Sequence, residues 1–455
     1  MVAMIQELIL SQVAQAYGGT LMYPDCHFKS VSTDSRQLAE GQLFIALKGD
    51  RFDAHQFLPR VATQASGMVV ERPVKNINVP QWVVPDTTEA LGQIARINRQ
   101  AFMGPLIAVT GSSGKTTVKE MIAVILRESG EVLATKGNLN NQIGVPVTLI
   151  GLHRGHRYAI IEMGASASGE IAYLCGLARP DVVMVSNVLP AHMVGFGSID
   201  GVAKAKGEIY LGVSDQGVAV INLDEPYSEQ WRVSSRARVL TYSIADTRAD
   251  FYAKEVVADD FGCHVFVLVT PDGEAAVRLS LSGVHNVGNA LAAAACAHAV
   301  GAELRAISVG LNKLQPMSGR LSWKQLANGT SVIDDTYNAN PGSVKAAINT
   351  LMNFKGRRIL VLGDMGELGE NEAQLHADVG RYAAEQGVDI LLAVGPLCAN
   401  ATREFGERAK HFESKKMLTD HLAALLDSDT AVLVKGSRFM VMEGIVQKII
   451  KSGEQ

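Results

Sequence analysis

The chain reads as an α/β protein of three domains: a small α/β domain, a central parallel-sheet domain and a C-terminal Rossmann-like domain. Three observations predict this. Its 455 residues exceed the ~250–300 at which a single hydrophobic core stops growing. Short apolar runs alternate with helical patterns in two separate series, one starting at Leu106 and one at Val332. Proline-containing breaks near residue 85 and at Gln315 to Gly319 separate the series, giving expected domains 1–85, 86–316 and 317–455.

In the first domain, Val31 to Leu47 reads as strand, turn and strand. The polar run Ser32-Thr33-Asp34-Ser35-Arg36 ends the first strand, and Leu43 to Leu47 forms the second. Val74 to Asp86 holds Pro80 and Pro85 with little helical periodicity, so it is a candidate linker. A helix is expected over Thr88 to Phe102. Four buried strands follow: Leu106 to Val109, Tyr158 to Ile161, Val182 to Val185 and Val218 to Ile221. Continuous apolar runs of this length, alternating with helices, predict a parallel sheet covered on both faces. The third domain repeats the grammar with Val332-Ile333, Ile359 to Leu362, Ile390 to Val394 and Ala431 to Val434. Ligands of open parallel sheets bind beyond the strand carboxyl ends. Asp334 to Pro341, Gly363 to Gly369 and Lys435 to Arg438 are therefore candidate functional loops.

Composition excludes several classes. Charged residues are 19% and the net charge is −4, so no global basic field exists to grip nucleic acid or an anionic membrane. Cys26, Cys175, Cys263, Cys296 and Cys398 are scattered and odd in number, which fits neither a metal quartet nor a disulfide framework. With no basic n-region before an apolar stretch, and Ala290 to Val300 too short to span a bilayer, the expectation is a cytoplasmic protein without integral membrane association.

The strongest local signal is Thr110-Gly111-Ser112-Ser113-Gly114-Lys115-Thr116-Thr117 between a strand and a helix. The glycines let backbone amides wrap phosphates, Lys115 reaches the terminal phosphates and Thr116 can ligate magnesium. The central domain is thereby P-loop ATPase-like. One departure stands out: the general pattern places a glycine where Val109 sits, and here the glycine is Gly111.

Glu162 follows the strand ending at Ile161, on the edge where the P-loop lies, so it reads either as a magnesium ligand or as a solvated strand-end acid. His192 lies just past another strand end, where a lone histidine is more often a structural hydrogen-bonder than a ligand. Lys204 and Lys206 fall in an expected helix over Val202 to Leu211, where a lysine by default faces solvent; nothing local singles out Lys206.

In this order, the P-loop, Gly137-Asn138-Leu139-Asn140-Asn141-Gln142-Ile143-Gly144-Val145-Pro146, Glu162 to Ala165, Pro190-Ala191-His192 and Ala203 to Ile209 resemble the muramyl peptide ligase family. The likeness continues through His285-Asn286, Asn289 to Ala292, Gly319-Arg320 and Asp334 to Pro341, and so covers nearly the whole chain. It implies ATP bound by Gly111, Ser112, Ser113, Gly114, Lys115, Thr116 and Thr117. Asn286 and Asn289 would lie at adenine, and Arg320 and Asp335 at phosphate and ribose. Two magnesium ions would be held by Thr116, Glu162, His192 and a carbamylated Lys206, with Lys115, His192 and Lys206 as the catalytic set.

The same resemblance makes the first domain the UDP-sugar site, through Ser32, Asp34, Ser35 and Arg36 with Asn138 and Asn141. The third domain, including Asn338, Asn340 and Gly363 to Gly369, would receive the incoming group. Tyr337 to Pro341 and Gly363 to Gly369 look like the dipeptide-adding branch, in which D-alanyl-D-alanine joins UDP-N-acetylmuramoyl-tripeptide through an acyl phosphate in peptidoglycan synthesis. The diamino-acid-adding branch is the nearest alternative. A P-loop switch is a distant one, since Asn222-Leu223-Asp224 lacks the lysine of a guanine-reading motif. A monomer is the family expectation.

Overall fold

The computed structural model describes residues 3–49, 52–190, 193–259 and 262–453. Among the described residues three large sheets, beside two two-stranded pairs, carry the chain, each larger than its apolar runs announce. The first has five strands, in the order Thr20–Met22, Gln81–Val83, Gly67–Val70, Leu43–Ile45 and Val31–Ser32. The expected linker over Val74 to Asp86 is therefore corrected: its middle is a strand. Trp82 explains this, because its ring is fully buried and its Nε1 donates to the Gly18 carbonyl at 2.8 Å, which fixes the segment in the sheet despite the flanking prolines.

Helix Thr87–Ala101 joins this sheet to the next. Asp86 caps it by accepting from the amides of Thr88 and Glu89. Its face of Ala90, Leu91, Ile94 and Ala95 lies in one continuous core with Leu43, Val69 and Trp82 on one side and Leu106, Ala108 and Ile161 on the other. Asn98 fastens the same junction: its Oδ1 accepts from the Ile5 amide, and its Nδ2 donates to the carbonyls of Leu149, Ile150 and Leu152.

The central sheet has nine strands. Glu131–Ala134, His156–Glu162, Leu106–Thr110, Val182–Val185, Val218–Asn222 and Arg238–Ser243 run parallel in that spatial order. Alternate residues feed opposite faces. Ala108, Ile161 and Val183 enter the core shared with the first domain, while Ile107, Ile160 and Met184 enter the second core, against helices Lys115–Arg127 and His285–Ala299. Beyond Arg238–Ser243 the sheet continues with Phe251–Ala258, Cys263–Thr270 and Gly273–Ser282, the last two antiparallel to their neighbours. Chain order reverses around Leu106–Thr110: successive strands lie first to one side of it and then to the other, which opens a crevice at its carboxyl end.

The third sheet is ordered Ser322–Gln325, Ser331–Asp335, Thr430–Lys435, Arg357–Gly363, Ile390–Val394 and Ala409–Phe412, parallel except for its first pair. Thr430–Lys435, last in sequence, lies between Ser331–Asp335 and Arg357–Gly363, so the loops after Asp335, Gly363 and Lys435 are neighbours. Among the described residues no helix is long and apolar enough to cross a membrane.

Candidate functional site

The P-loop occupies the crevice of the central sheet. Gly111 has φ 145°, and a Cβ there would lie 1.9 Å from Ser186 Oγ, so only glycine fits. Gly114, at φ 77°, starts helix Lys115–Arg127, and its missing side chain leaves room for Asn289 Oδ1. The segment after strand Val182–Val185 clamps the loop. Asn187 Oδ1 accepts from the Ser113 amide at 2.9 Å, the Asn187 carbonyl accepts from the Ser112 amide, and Ser186 Oγ donates to the Ser113 carbonyl. Amides gathered at a helix N-terminus hold phosphate oxygens by charge and by hydrogen bonding.

Thr116 ties three segments together. Its hydroxyl donates to Glu162 Oε2 at 2.7 Å and accepts from Arg320 Nη2 at 2.9 Å; Glu162 Oε1 in turn accepts from Asn140 Nδ2 at 2.9 Å. Glu162 is buried, which removes its solvated reading. A hydroxyl and a carboxylate that converge beside phosphate-binding amides form the hard oxygen donor set that magnesium selects. Asn140 was not among the predicted site residues, and nothing local in the Gly137 to Pro146 run distinguishes it from its neighbours.

Burial first, and neighbouring cations second, lower the pKa of two lysines here. Burial lowers the Lys115 pKa; Glu162 opposes the shift and Arg320 adds to it. The Lys115 ammonium donates to the Gly111 carbonyl at 2.7 Å. Lys206 overturns its default reading. In helix Ile199–Leu211, Lys204 is exposed but Lys206 is 2% exposed, with its Nζ 5.8 Å from the Phe196 ring centroid. Burial, reinforced by Lys115, brings its pKa down to about 7, so near neutrality a large fraction of its amine carries no proton. His192 lies outside the described residues.

Asn286 is buried at the start of helix His285–Ala299, and its Oδ1 accepts from Asn289 Nδ2 at 2.9 Å. The bond links Asn286 to Asn289, whose side chain faces Gly114. Thr117 is buried behind the loop. From the third sheet, Arg320 reaches Thr116 while its guanidinium lies 4.0 Å from the centroid of the Tyr337 ring. Asp335 accepts from Lys435 Nζ and from the Leu321 amide; burial raises its pKa and Lys435 opposes the rise. Lys435, also donating to the Asn338 carbonyl at 2.8 Å, opens the expected loop Lys435 to Arg438, within which no local pattern assigns it an individual role.

The remaining predicted residues are engaged locally. Asn338 Oδ1 accepts from the amides of Ala339 and Arg438. Asn340 forms a capping box with Ser343 on helix Pro341–Leu351, and Asn141 accepts from the amides of Ile143 and Gly144 to start helix Gly144–Ile150. Asn138 is exposed. In the first domain, Ser32 Oγ accepts from the Asp34 amide, Arg36 chelates Asp34 through Nε and Nη2, and Ser35 stands half-buried at the turn.

Residues 109–297 match the Mur ligase middle domain, and residues 319–438 match the Mur ligase, glutamate ligase domain. The chain is 43% identical to the UDP-N-acetylmuramoyl-tripeptide--D-alanyl-D-alanine ligase of Escherichia coli (strain K12), covering 98% of each. It superposes on MurF from Acinetobacter baumannii with a TM-score of 0.92 at 38% identity, over 98% of this chain and 99% of that one. MurF from Thermotoga maritima, solved in complex with ADP, gives a TM-score of 0.83 at 26% identity, over 93% and 97%. With two Mur ligase domains matched in order and a full-length relative at this identity, the chain belongs to the Mur ligase family.

Proposed function

We propose that the protein is an ATP-dependent ligase that forms the amide between UDP-N-acetylmuramoyl-tripeptide and D-alanyl-D-alanine, giving the UDP-linked pentapeptide of peptidoglycan synthesis. The observation that carries this reading is the likeness, over 98% of both chains, to a ligase of that name. The P-loop contact of Arg320 with Thr116 supports it, because it brings groups of the third domain to the phosphate end of the nucleotide site.

ATP lies with its phosphates on the amides of Gly111 to Thr116 and its adenine beside Asn286 and Asn289. Lys115 and Arg320 counter the charge of the terminal phosphate. The Thr116 hydroxyl and the Glu162 carboxylate would hold one magnesium ion, and His192 with a carbamylated Lys206 would hold a second. Bound there, the ions screen the repulsion between the incoming carboxylate and the triphosphate. The low pKa of Lys206 fits the carbamate, since only the neutral amine attacks carbon dioxide. The tripeptide's terminal carboxylate attacks the γ-phosphorus and ADP leaves. The amine of D-alanyl-D-alanine then adds to the acyl carbon, and phosphate departs with the carboxylate-derived oxygen. Ser32, Asp34, Ser35 and Arg36, with Asn138 and Asn141, serve the UDP-sugar side; the loops holding Asn338, Asn340 and Gly363 to Gly369 serve the dipeptide.

Phosphate release is measured with each component omitted in turn, alongside the product mass. The reading requires release that depends on ATP, magnesium, UDP-tripeptide and dipeptide together and that yields the UDP-pentapeptide. Turnover that ignores the dipeptide overturns it. Lys206→Ala is expected to lose activity that added short carboxylic acids partly restore; full activity without them removes the carbamate.

A further inference from the structure

In the third domain, Asp364, His376 and Cys398 bring a carboxylate oxygen, an imidazole nitrogen and a thiol within 4.8 Å of one another, all fully buried. The spacing would suit a metal ion, but the hydrogen bonds assign these atoms otherwise. His376 Nε2 lies 2.9 Å from the Met365 amide nitrogen, and since that amide can only donate, Nε2 is an acceptor without a proton. The ring proton therefore sits on Nδ1, which donates to the Glu372 carbonyl at 2.6 Å. Asp364 Oδ1 accepts from the Cys398 amide at 2.9 Å, and Oδ2 from the Leu397 amide at 3.4 Å. Burial, with Asp364 beside it, pushes the Cys398 thiol well up, so it keeps its proton. No lone pair of His376 remains for a cation.

The product of this network is a fixed main chain from Asp364 to Glu367. The Asp364 carbonyl accepts from the Ser437 amide at 3.0 Å, the Met365 amide is held by His376, and the Gly366 amide donates to Ser437 Oγ at 2.8 Å. Glu367 follows in the left-handed region at φ 62°. Ser437 Oγ also reaches the Ala339 carbonyl at 3.1 Å, so the loops after all three neighbouring strands are locked in one arrangement. This corner faces the central domain, for the turn Gly369–Asn371 packs against helix Met193–Phe196 beyond strand Val182–Val185.

We propose that His376 is a positioning residue for the incoming dipeptide, acting through the Met365 amide to hold the Gly363 to Gly369 loop in its receiving shape. This rests on the reading above, in which that loop serves the dipeptide. The two nitrogens separate by substitution: an Asn amide takes the place of Nδ1 and reaches the Glu372 carbonyl, whereas a Gln amide takes the place of Nε2 and reaches the Met365 amide.

Steady-state kinetics on the full-length protein is the test. Wild-type dependence on D-alanyl-D-alanine is established first, so that failure of the underlying reading is seen separately. His376→Asn is expected to raise the dipeptide KM about tenfold, a factor equivalent to ~1.4 kcal/mol. KM for ATP and for UDP-tripeptide should stay within about twofold, and His376→Gln should restore the dipeptide KM. Equal effects of Asn and Gln, or a shift in kcat alone, mean that the histidine only packs the core and overturn the proposal. Should neither variant fold, amide hydrogen exchange on the wild type decides: a protected Met365 amide supports the positioning bond, and exchange at open-loop rates removes it.

Discussion

Lys206 shows how one residue can be legible yet missed. Val202, Lys206 and Ile209 stand at i, i+4 and i+7, so the helical period places this lysine on the apolar face, whereas Lys204 falls on the opposite one. Default solvation of lysines hid a position that the periodicity gave away. Glu225 had no such signal: it accepts from the amide of Val188, far away in sequence, at 3.3 Å. Burial pushes its pKa up to about 7 from an ordinary 4.5, against the Val188 bond and with help from Asp224. Between those values the folded protein keeps a proton that the unfolded chain has released, so stability falls as pH rises through that window. Glu225→Gln is neutral throughout and is expected to lose this slope. Its stability advantage over wild type, followed by thermal melting, should grow from pH 5 to pH 7 and then level off; parallel pH curves would show that Glu225 is ionised throughout.

At the scale of elements, most strands legible in the sequence are the doubly covered ones, Val31–Ser32 at the edge of the first sheet being an exception. Leu106–Thr110, Val182–Val185 and Ile390–Val394 are buried on both faces and announce themselves as unbroken apolar runs. The missed strands have a wet face or an edge: Phe251–Ala258 and Gly273–Ser282 carry exposed polar residues, and Gln81–Val83 is three residues long between prolines. Loop side chains were harder to read, because an asparagine at a strand end serves a cap as readily as a ligand. Asn340 is the test case. Its capping box predicts that Asn340→Ala costs ~1 kcal/mol in chemical denaturation. A dipeptide KM unchanged alongside that loss assigns Asn340 to the helix alone, and a raised KM adds a substrate contact.

For the whole molecule, the order of motifs was legible because the family resemblance fixes it, but the meeting of domains was not. No local pattern in Gly319-Arg320 states that the guanidinium crosses to Thr116, 204 residues away in sequence. That contact depends on the turn at Gly319, φ 74°, whose amide donates to Asp334 Oδ2 and whose carbonyl accepts from the Tyr337 amide. If Arg320 completes the phosphate site only when the domains meet, Arg320→Ala should lower kcat about 100-fold while leaving the UDP-tripeptide KM within about twofold. A raised UDP-tripeptide KM with kcat intact would place Arg320 in substrate binding instead. Lysine should rescue poorly, since it lacks the planar fork that spans Thr116 and Tyr337.

The central claim is that the chain activates a peptide carboxylate with ATP before joining it to an amine. Isotope transfer tests this most directly: the tripeptide's terminal carboxylate is labelled with heavy oxygen, the reaction is run with ATP, magnesium and D-alanyl-D-alanine, and the released phosphate is weighed by mass spectrometry. An acyl-phosphate route predicts phosphate carrying one labelled oxygen for each amide formed. Unlabelled phosphate would mean that water, not the carboxylate, attacks the nucleotide, and the ligase account would fail.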